Sequence, residues 1–255
     1  MSDFRLDGRV AVVTGGTGVI GAAIAAGLRD AGAAVEVVSR SAELAANVLS
    51  RPDLEKARDA VLERHGRLDI LVNAAGGNLP GAIVDPASDV FDLDESAWDE
   101  AVRLNLDGTL LPILVFGPDL ARDPRPGGSA IVNISSASAV RPLTRVGAYS
   151  AAKAGVESLT RWLAVELAAR HGGAVRVNAI APGWILSEQN RDLLLDAAGE
   201  PTERARRVLE RTPLGRFAAA EEVVGAAVWL CSPAASYVTG AVIHVDGGFT
   251  AASGV

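Results

Sequence analysis

Short apolar runs alternate along this chain with longer stretches in which apolar residues recur every three or four positions. The first pattern suits strands buried on both faces and the second suits helices laid over them. Their alternation predicts repeated βαβ units and a parallel sheet. Strands are expected over 10–13, 35–38, 70–73, 130–134, 175–180 and 242–245. Helices are expected over 19–31, 54–65, 96–105, 148–169 and 221–231, and the Pro- and Gly-rich stretch 123–128 reads as a loop. One place breaks the scheme. After Ser39 the next strand candidate is 45–48, only five residues on. A parallel crossover normally takes about a dozen residues, usually with a helix. Either the third strand is displaced or that helix is missing.

Composition narrows the class. With 255 residues and a hydrophobic fraction of 49%, the chain can bury one large core, which excludes a mostly disordered protein. Its apolar runs fall far short of the ~18 residues a membrane helix needs. The opening Met-Ser-Asp-Phe-Arg lacks the pattern of an export signal. Cys231 is the single cysteine, so neither a disulfide framework nor a cysteine-based zinc site is expected, and no metal is called for. A net charge of −7 argues against nucleic acid as a partner. The expectation is one soluble, cytoplasmic domain over 1–255. Of the 24 basic residues only Lys56 and Lys153 are lysines, which draws attention to positions where a compact ammonium with a shiftable pKa is wanted.

Two constellations carry chemistry. Thr14-Gly15-Gly16-Thr17-Gly18-Val19-Ile20-Gly21 follows the first strand and opens a helix, with Gly16, Gly18 and Gly21 in G-x-G-x-x-G spacing. Small residues there allow a tight turn and a close backbone approach to a pyrophosphate, which the helix N-terminus then meets with free N–H groups. The second strand ends in Ser39-Arg40 rather than in a carboxylate, so Arg40 can pair with a ribose 2′-phosphate and NADP is favoured over NAD. A plain surface arginine is the bland alternative. The second constellation is Tyr149 and Lys153, four apart and so on one helix face. A cation beside a phenol lowers its pKa toward useful acid–base chemistry. Ser136, just past the fifth strand, stands where it can hydrogen-bond a substrate carbonyl.

These marks, with Asn73-Ala74-Ala75-Gly76, Asn105, Asn133-Ile134-Ser135-Ser136, Pro182-Gly183 and Asp246-Gly247-Gly248, resemble the short-chain dehydrogenase/reductase family over nearly the whole chain. The resemblance implies a single-domain, doubly wound Rossmann-type α/β fold and interconversion of a ketone and a secondary alcohol with NAD(P). It implies that Tyr149 transfers the carbinol proton, Ser136 polarises the carbonyl, Lys153 contacts the nicotinamide ribose and lowers the Tyr149 pKa, and Asn105 helps hold a relay water. Cofactor contacts are then expected from Gly15, Thr17, Gly18, Val19, Ile20, Ser39, Arg40, Asn47, Val48, Asn73, Ala74, Ala75, Tyr149, Lys153, Pro182, Gly183, Ile185 and Ser187. Two departures stand out. Val19 occupies a position where the family carries glycine, and Asn47-Val48 stands where it tends to have Asp-Val.

Segments placed where that fold builds its substrate pocket narrow the reading further. Asn78, Arg141, Arg145, Gln189, Asn190 and Arg191, with a substrate loop over about 184–215, resemble the D-mannonate oxidoreductase (fructuronate reductase) members. An Arg- and amide-rich pocket suits a polyhydroxylated carboxylate, the D-fructuronate/D-mannonate pair. The alternatives are a keto-gluconate, a 3-oxoacyl thioester, or a cofactor-binding protein without turnover. For Arg141 and Arg145, backbone capping or a subunit contact competes with substrate binding. A homotetramer is expected.

Overall fold

The computed structural model describes residues 2–187 and 190–253. Seven parallel strands form one sheet: β1 (Val10–Thr14), β2 (Ala34–Ser39), β3 (Leu44–Ala45), β4 (Ile70–Asn73), β5 (Ser129–Ile134), β6 (Val175–Pro182) and β7 (Val242–Val245). Their order is β3-β2-β1-β4-β5-β6-β7, the doubly wound Rossmann arrangement. Along β1, Val10 and Val12 face one core while Ala11 and Val13 face the other, so every residue of the strand is buried. That two-sided burial is why the central strands read as unbroken apolar runs.

Helices cover both faces. One core lies under α2 (Arg51–His65), α4 (Gly108–Arg122) and α5 (Gly147–His171), with Leu54, Val61, Phe116, Leu120 and Leu163 packed on the sheet. The other lies under α1 (Val19–Asp30) and α8 (Val224–Cys231), with Ile24, Leu28, Ala227 and Leu230 packed on it. Shorter helices are α3 (Glu95–Val102), α6 (Arg191–Leu194) and α7 (Glu203–Glu210). Gly66 ends α2 and Gly172 ends α5 in the left-handed conformation that favours glycine.

The sequence puzzle between the second and third strands resolves as a missing helix. β3 is Leu44–Ala45 rather than 45–48, and it pairs in parallel with Val38 and Ser39 at the end of β2. A ladder of two residues asks the chain to step back by only about 7 Å at ~3.3 Å per residue, which a four-residue connection spans without a helix. The helix expected ahead of the 123–128 loop is α4, whose bounds the sequence leaves open. Pro112 and Pro118 lie inside it, each removing a backbone donor, yet buried Ile113, Phe116 and Leu120 keep a helical period and their packing carries it through. Between α3 and α4 the chain makes a π turn over Arg103–Asp107 instead of ending at residue 105. The strand order reverses beside β1, and the C-terminal ends of β1, β4, β5 and β6 open on one edge. An open sheet of this kind takes its ligands there.

Candidate active site

The turn after β1 is made by backbone. Gly15 has φ +64°, and a Cβ there would lie 2.6 Å from the Ala75 backbone, so the turn packs directly on the chain leaving β4. A Cβ on Gly21 would collide with the Gly15 carbonyl. Gly18 caps α1 with no side-chain hydrogen bond, and the first turn of the helix carries no acidic residue. Its first N–H groups and positive dipole end are therefore offered to an anion, and the glycine cradle fits a dinucleotide pyrophosphate. Val19 opens the helix with its side chain largely exposed, and Ile20 packs against the core.

The end of β2 closes this side. Thr17 Oγ1 donates to Ser39 Oγ at 3.1 Å and receives a bond from Ser41 Oγ at 3.4 Å. Arg40 is exposed and forms no ion pair among the described residues. Glu36 is held by His65 at 2.8 Å and by Arg64 at 3.3 Å, which keeps it occupied inside the strand. Asn47 serves the backbone: its Oδ1 accepts from the Leu49 N–H while its own N–H donates to Asp53. Val48 is buried against Gly108.

On the other side of β1 the side chains are interlocked. Lys153, buried one turn after Tyr149 on α5, donates from Nζ to the carbonyl of Ile134 at 2.8 Å and stands 5.6 Å from the Tyr149 ring centre. Burial lowers its pKa to about 8. Tyr149 is half-buried, and burial pushes its phenol up while a hydrogen bond with Ser136 pulls it down, the upward push prevailing. That direction runs against the expected lowering, and burial of the phenol is its main cause. Ser136 lies just beyond β5 in extended backbone, its Oγ accepting from the Ser138 N–H at 3.1 Å.

Asn105 sits on the π turn and is fully buried. Its Nδ2 donates to the carbonyls of Gly77 and Ala101, both at 2.9 Å, and its Oδ1 accepts from the Gly77 N–H at 2.9 Å. A Cβ on Gly76 would lie 2.6 Å from that oxygen and 3.3 Å from Lys153 Nζ. Asn105, Lys153, Tyr149 and Ser136 thus meet at one place, at the ends of β4 and β5. Behind them runs a buried relay that sequence reading missed. Asn73 Nδ2 donates to Asn133 Oδ1 and Asn133 Nδ2 to Thr160 Oγ1, each at 2.9 Å, tying β4 through β5 to α5. Thr109, one turn after Asn105, donates to the Asn105 carbonyl at 3.0 Å, a spacing legible only once the helix is known.

The remaining expected residues surround this centre. The Ala74 N–H donates to the Thr14 carbonyl, which ties Ala74 and Ala75 to the glycine turn. Beyond β6, Gly183 packs on Asp246 so closely that a Cβ would sit 2.7 Å from its Cα. Ile185 bridges to Ala218. The side chain of Asn190 braces this loop, accepting from the Ser187 N–H and donating to the Ile185 carbonyl, each at 2.8 Å. Asn78 and Arg191 are exposed, and Gln189 lies outside the described residues. Arg141 directs Nε and Nη2 onto the carbonyls of Thr250 and Ala252, so much of its guanidinium is spent on the C-terminal segment. Arg145 has φ +77°, a positive value that no other non-glycine shows among the described residues. Its Nε donates to the Val84 carbonyl at 2.7 Å, and its own carbonyl accepts from the Val84 N–H at 3.0 Å.

Comparison with known proteins places this site in context. A family profile described as enoyl-(acyl carrier protein) reductase matches residues 15–250. An uncharacterized oxidoreductase, UxuB of Bacillus subtilis, is 40% identical, and the alignment covers 98% of each chain. The chain belongs to the short-chain dehydrogenase/reductase family. It is an NAD(P)-dependent oxidoreductase of alcohol groups. Among solved structures it is similar to a candidate D-mannonate oxidoreductase from Haemophilus influenza with bound NAD. That match has a TM-score of 0.87 and 36% identity, covering 100% of this chain and 99% of the other. It is also similar to a gluconate 5-dehydrogenase from Burkholderia cenocepacia in complex with NADP and tartrate, with a TM-score of 0.84, 30% identity and 98% of each chain covered. Among the described residues no helix is long and apolar enough to cross a membrane.

Proposed function

We propose that this oxidoreductase acts on a sugar acid, interconverting D-fructuronate and D-mannonate. The observation that carries the reading is Arg145, a cation without a carboxylate partner among the described residues, held four residues before the tyrosine that serves the ketone. Likeness over the full length to a candidate D-mannonate oxidoreductase, and to a gluconate dehydrogenase, supports it. A nicotinamide dinucleotide held by the Gly15–Gly21 turn would supply the hydride for reduction of the carbonyl carbon. Ser136 Oγ hydrogen-bonds the carbonyl oxygen, and Tyr149 Oη gives that oxygen the proton that completes the alcohol. Lys153 fixes the phenol's side of the site through the Ile134 carbonyl, and Asn105 holds the Gly76-Gly77 backbone against it.

The substrate carboxylate is assigned to Arg145, with Arg191 as a further cation at the start of α6 and Asn78, Gln189 and Asn190 toward the hydroxyls. NADP is the preferred cofactor on the strength of exposed Arg40 beside Ser39. The cytoplasm and a homotetramer complete the reading, the latter supported by Leu114 on α4 and Trp162 and Val165 on α5, large apolar side chains left exposed. Profiling NADH and NADPH oxidation against sugar keto acids, neutral ketoses and acyl thioesters tests the substrate and the cofactor. Preference for a neutral ketone or a thioester over every sugar acid overturns the substrate. A sedimentation mass near that of one 26.2 kDa chain overturns the tetramer.

A further inference from the structure

A second arginine, Arg204 on α7, lies half-buried with its guanidinium carbon 5.7 Å from the centre of the Trp184 ring. Trp184 follows Pro182-Gly183 at the ligand edge of the sheet and meets the Phe249 ring edge-on at 6.4 Å. The aromatic shelf therefore holds the cation in place. Burial disfavours Arg204 as a cation, and the charge of Arg145 adds to that. Neither guanidinium has a carboxylate partner among the described residues. The acidic neighbour of Arg204 on the same helix, Glu203, is taken by Arg207.

Two half-buried cations with no carboxylate partner among the described residues repel where they come near each other, and Arg145 stands on a left-handed backbone that its bonds to Val84 sustain. Such an arrangement is relieved by an anion placed between them, and guanidinium groups match the two oxygens of a carboxylate. We infer that Arg204 and Arg145, with Trp184 as the shelf, form the subsite for the substrate's carboxylate, and that Arg204 rather than exposed Arg191 is the second cation. The inference rests on the sugar-acid reading above. It makes Arg204 a specificity-determining residue that selects acid over neutral substrate.

The test uses the full-length enzyme with saturating NADPH. Binding of D-gluconate, which has no ketone to reduce, and of neutral sorbitol is measured by calorimetry. Turnover is measured on a sugar keto acid and on a neutral ketose. Arg204→Gln should weaken gluconate at least ten-fold more than sorbitol and shift the acid-to-neutral ratio of kcat/KM by the same factor. Arg204→Lys should recover only part of that ratio, because an ammonium lacks the two-pronged donor set. Arg145→Asn, which tolerates the left-handed backbone, should shift the ratio the same way. If sugar acids are reduced but Arg204→Gln depresses acid and neutral substrates equally, the subsite is refuted while the sugar-acid reading stands. If wild type reduces neutral ketoses only and does not bind gluconate, both fall together.

Discussion

On one side of β1 lie the glycine turn, the end of β2 and the short crossover to β3; on the other lie β4, β5 and the start of α5. Both regions open on the same edge of the sheet, yet they are built from different materials. The first is backbone: glycines at 15, 18 and 21, an uncapped helix end, and hydroxyls linked by contacts of 3.1–3.4 Å. The second is side chain: Asn105 and Lys153 are buried with polar partners at 2.8–2.9 Å, and the Asn73–Asn133–Thr160 relay lies behind them. A backbone cradle tolerates changes in sequence wherever no Cβ intrudes. An interlocked buried network tolerates few, because each lost partner leaves a desolvated polar group behind. That contrast accounts for where this chain departs from its family's pattern, at Val19 and Asn47, and where it does not.

The contrast can be broken from either side. Tyr149→Phe removes only the transferable proton, so turnover should fall by roughly 10²–10⁴-fold while nicotinamide binding persists. Rapid-quench rates alongside a fluorescence titration of cofactor would show this, and retention of more than about a tenth of the wild-type rate would take Tyr149 out of the role.

Lys153→Met tests the buried ammonium. A lysine whose folded pKa is about 8 against 10.5 in the open chain binds fewer protons folded than unfolded between those values, so stability rises with pH across that window. Measured against wild type, the variant's stability should be higher below pH 8 than near pH 10.5 by about 3 kcal/mol at most, on top of a pH-independent cost for the Ile134 carbonyl that loses its donor. Urea melts across the range measure it, and a pH-independent difference would rule out burial of the ammonium as its cause.

On the cradle side, Gly15→Ala combines a positive φ with a Cβ 2.6 Å from Ala75 backbone. It should cost more than about 1 kcal/mol in the same melts and weaken both dinucleotides alike. Smallest of all, Arg40→Ala should weaken NADPH about five-fold and leave NADH unchanged, the modest yield of an exposed charge pair. Equal wild-type affinities for the two would remove Arg40 from any selective role.

What could be read in advance follows the same division. Strands β1, β4 and β5 are visible in the sequence because burial on both faces leaves runs of consecutive apolar residues, Val10–Val13, Ile70–Val72 and Ala130–Val132, whereas β6 carries buried Arg176 and Asn178 among its apolar positions. The candidate catalytic set is visible because Tyr149 and Lys153 lie four apart on one helix, one turn from each other. β3 is not, since two residues carry no period, and the bounds of α4 hide behind its two prolines. Arg204 looks like any charge on an amphipathic helix until Trp184, twenty residues earlier, is found beneath it. Arg141 shows the converse. Its position suggests a ligand, but its donors reach the carbonyls of Thr250 and Ala252, partners that no local spacing reveals.

The two-residue β3 has a consequence beyond the adenine side of the site. A sheet edge with a long row of unpaired N–H and C=O groups invites strands from other molecules to add on. Here the outermost strand ends almost as soon as it begins, and Ser50, Pro52 and Asp53 turn the chain at once into α2. Restoring a full crossover helix with a longer third strand would extend that ladder and give passing chains a template. By shortening the link, the protein has blunted one margin of its own sheet against aggregation.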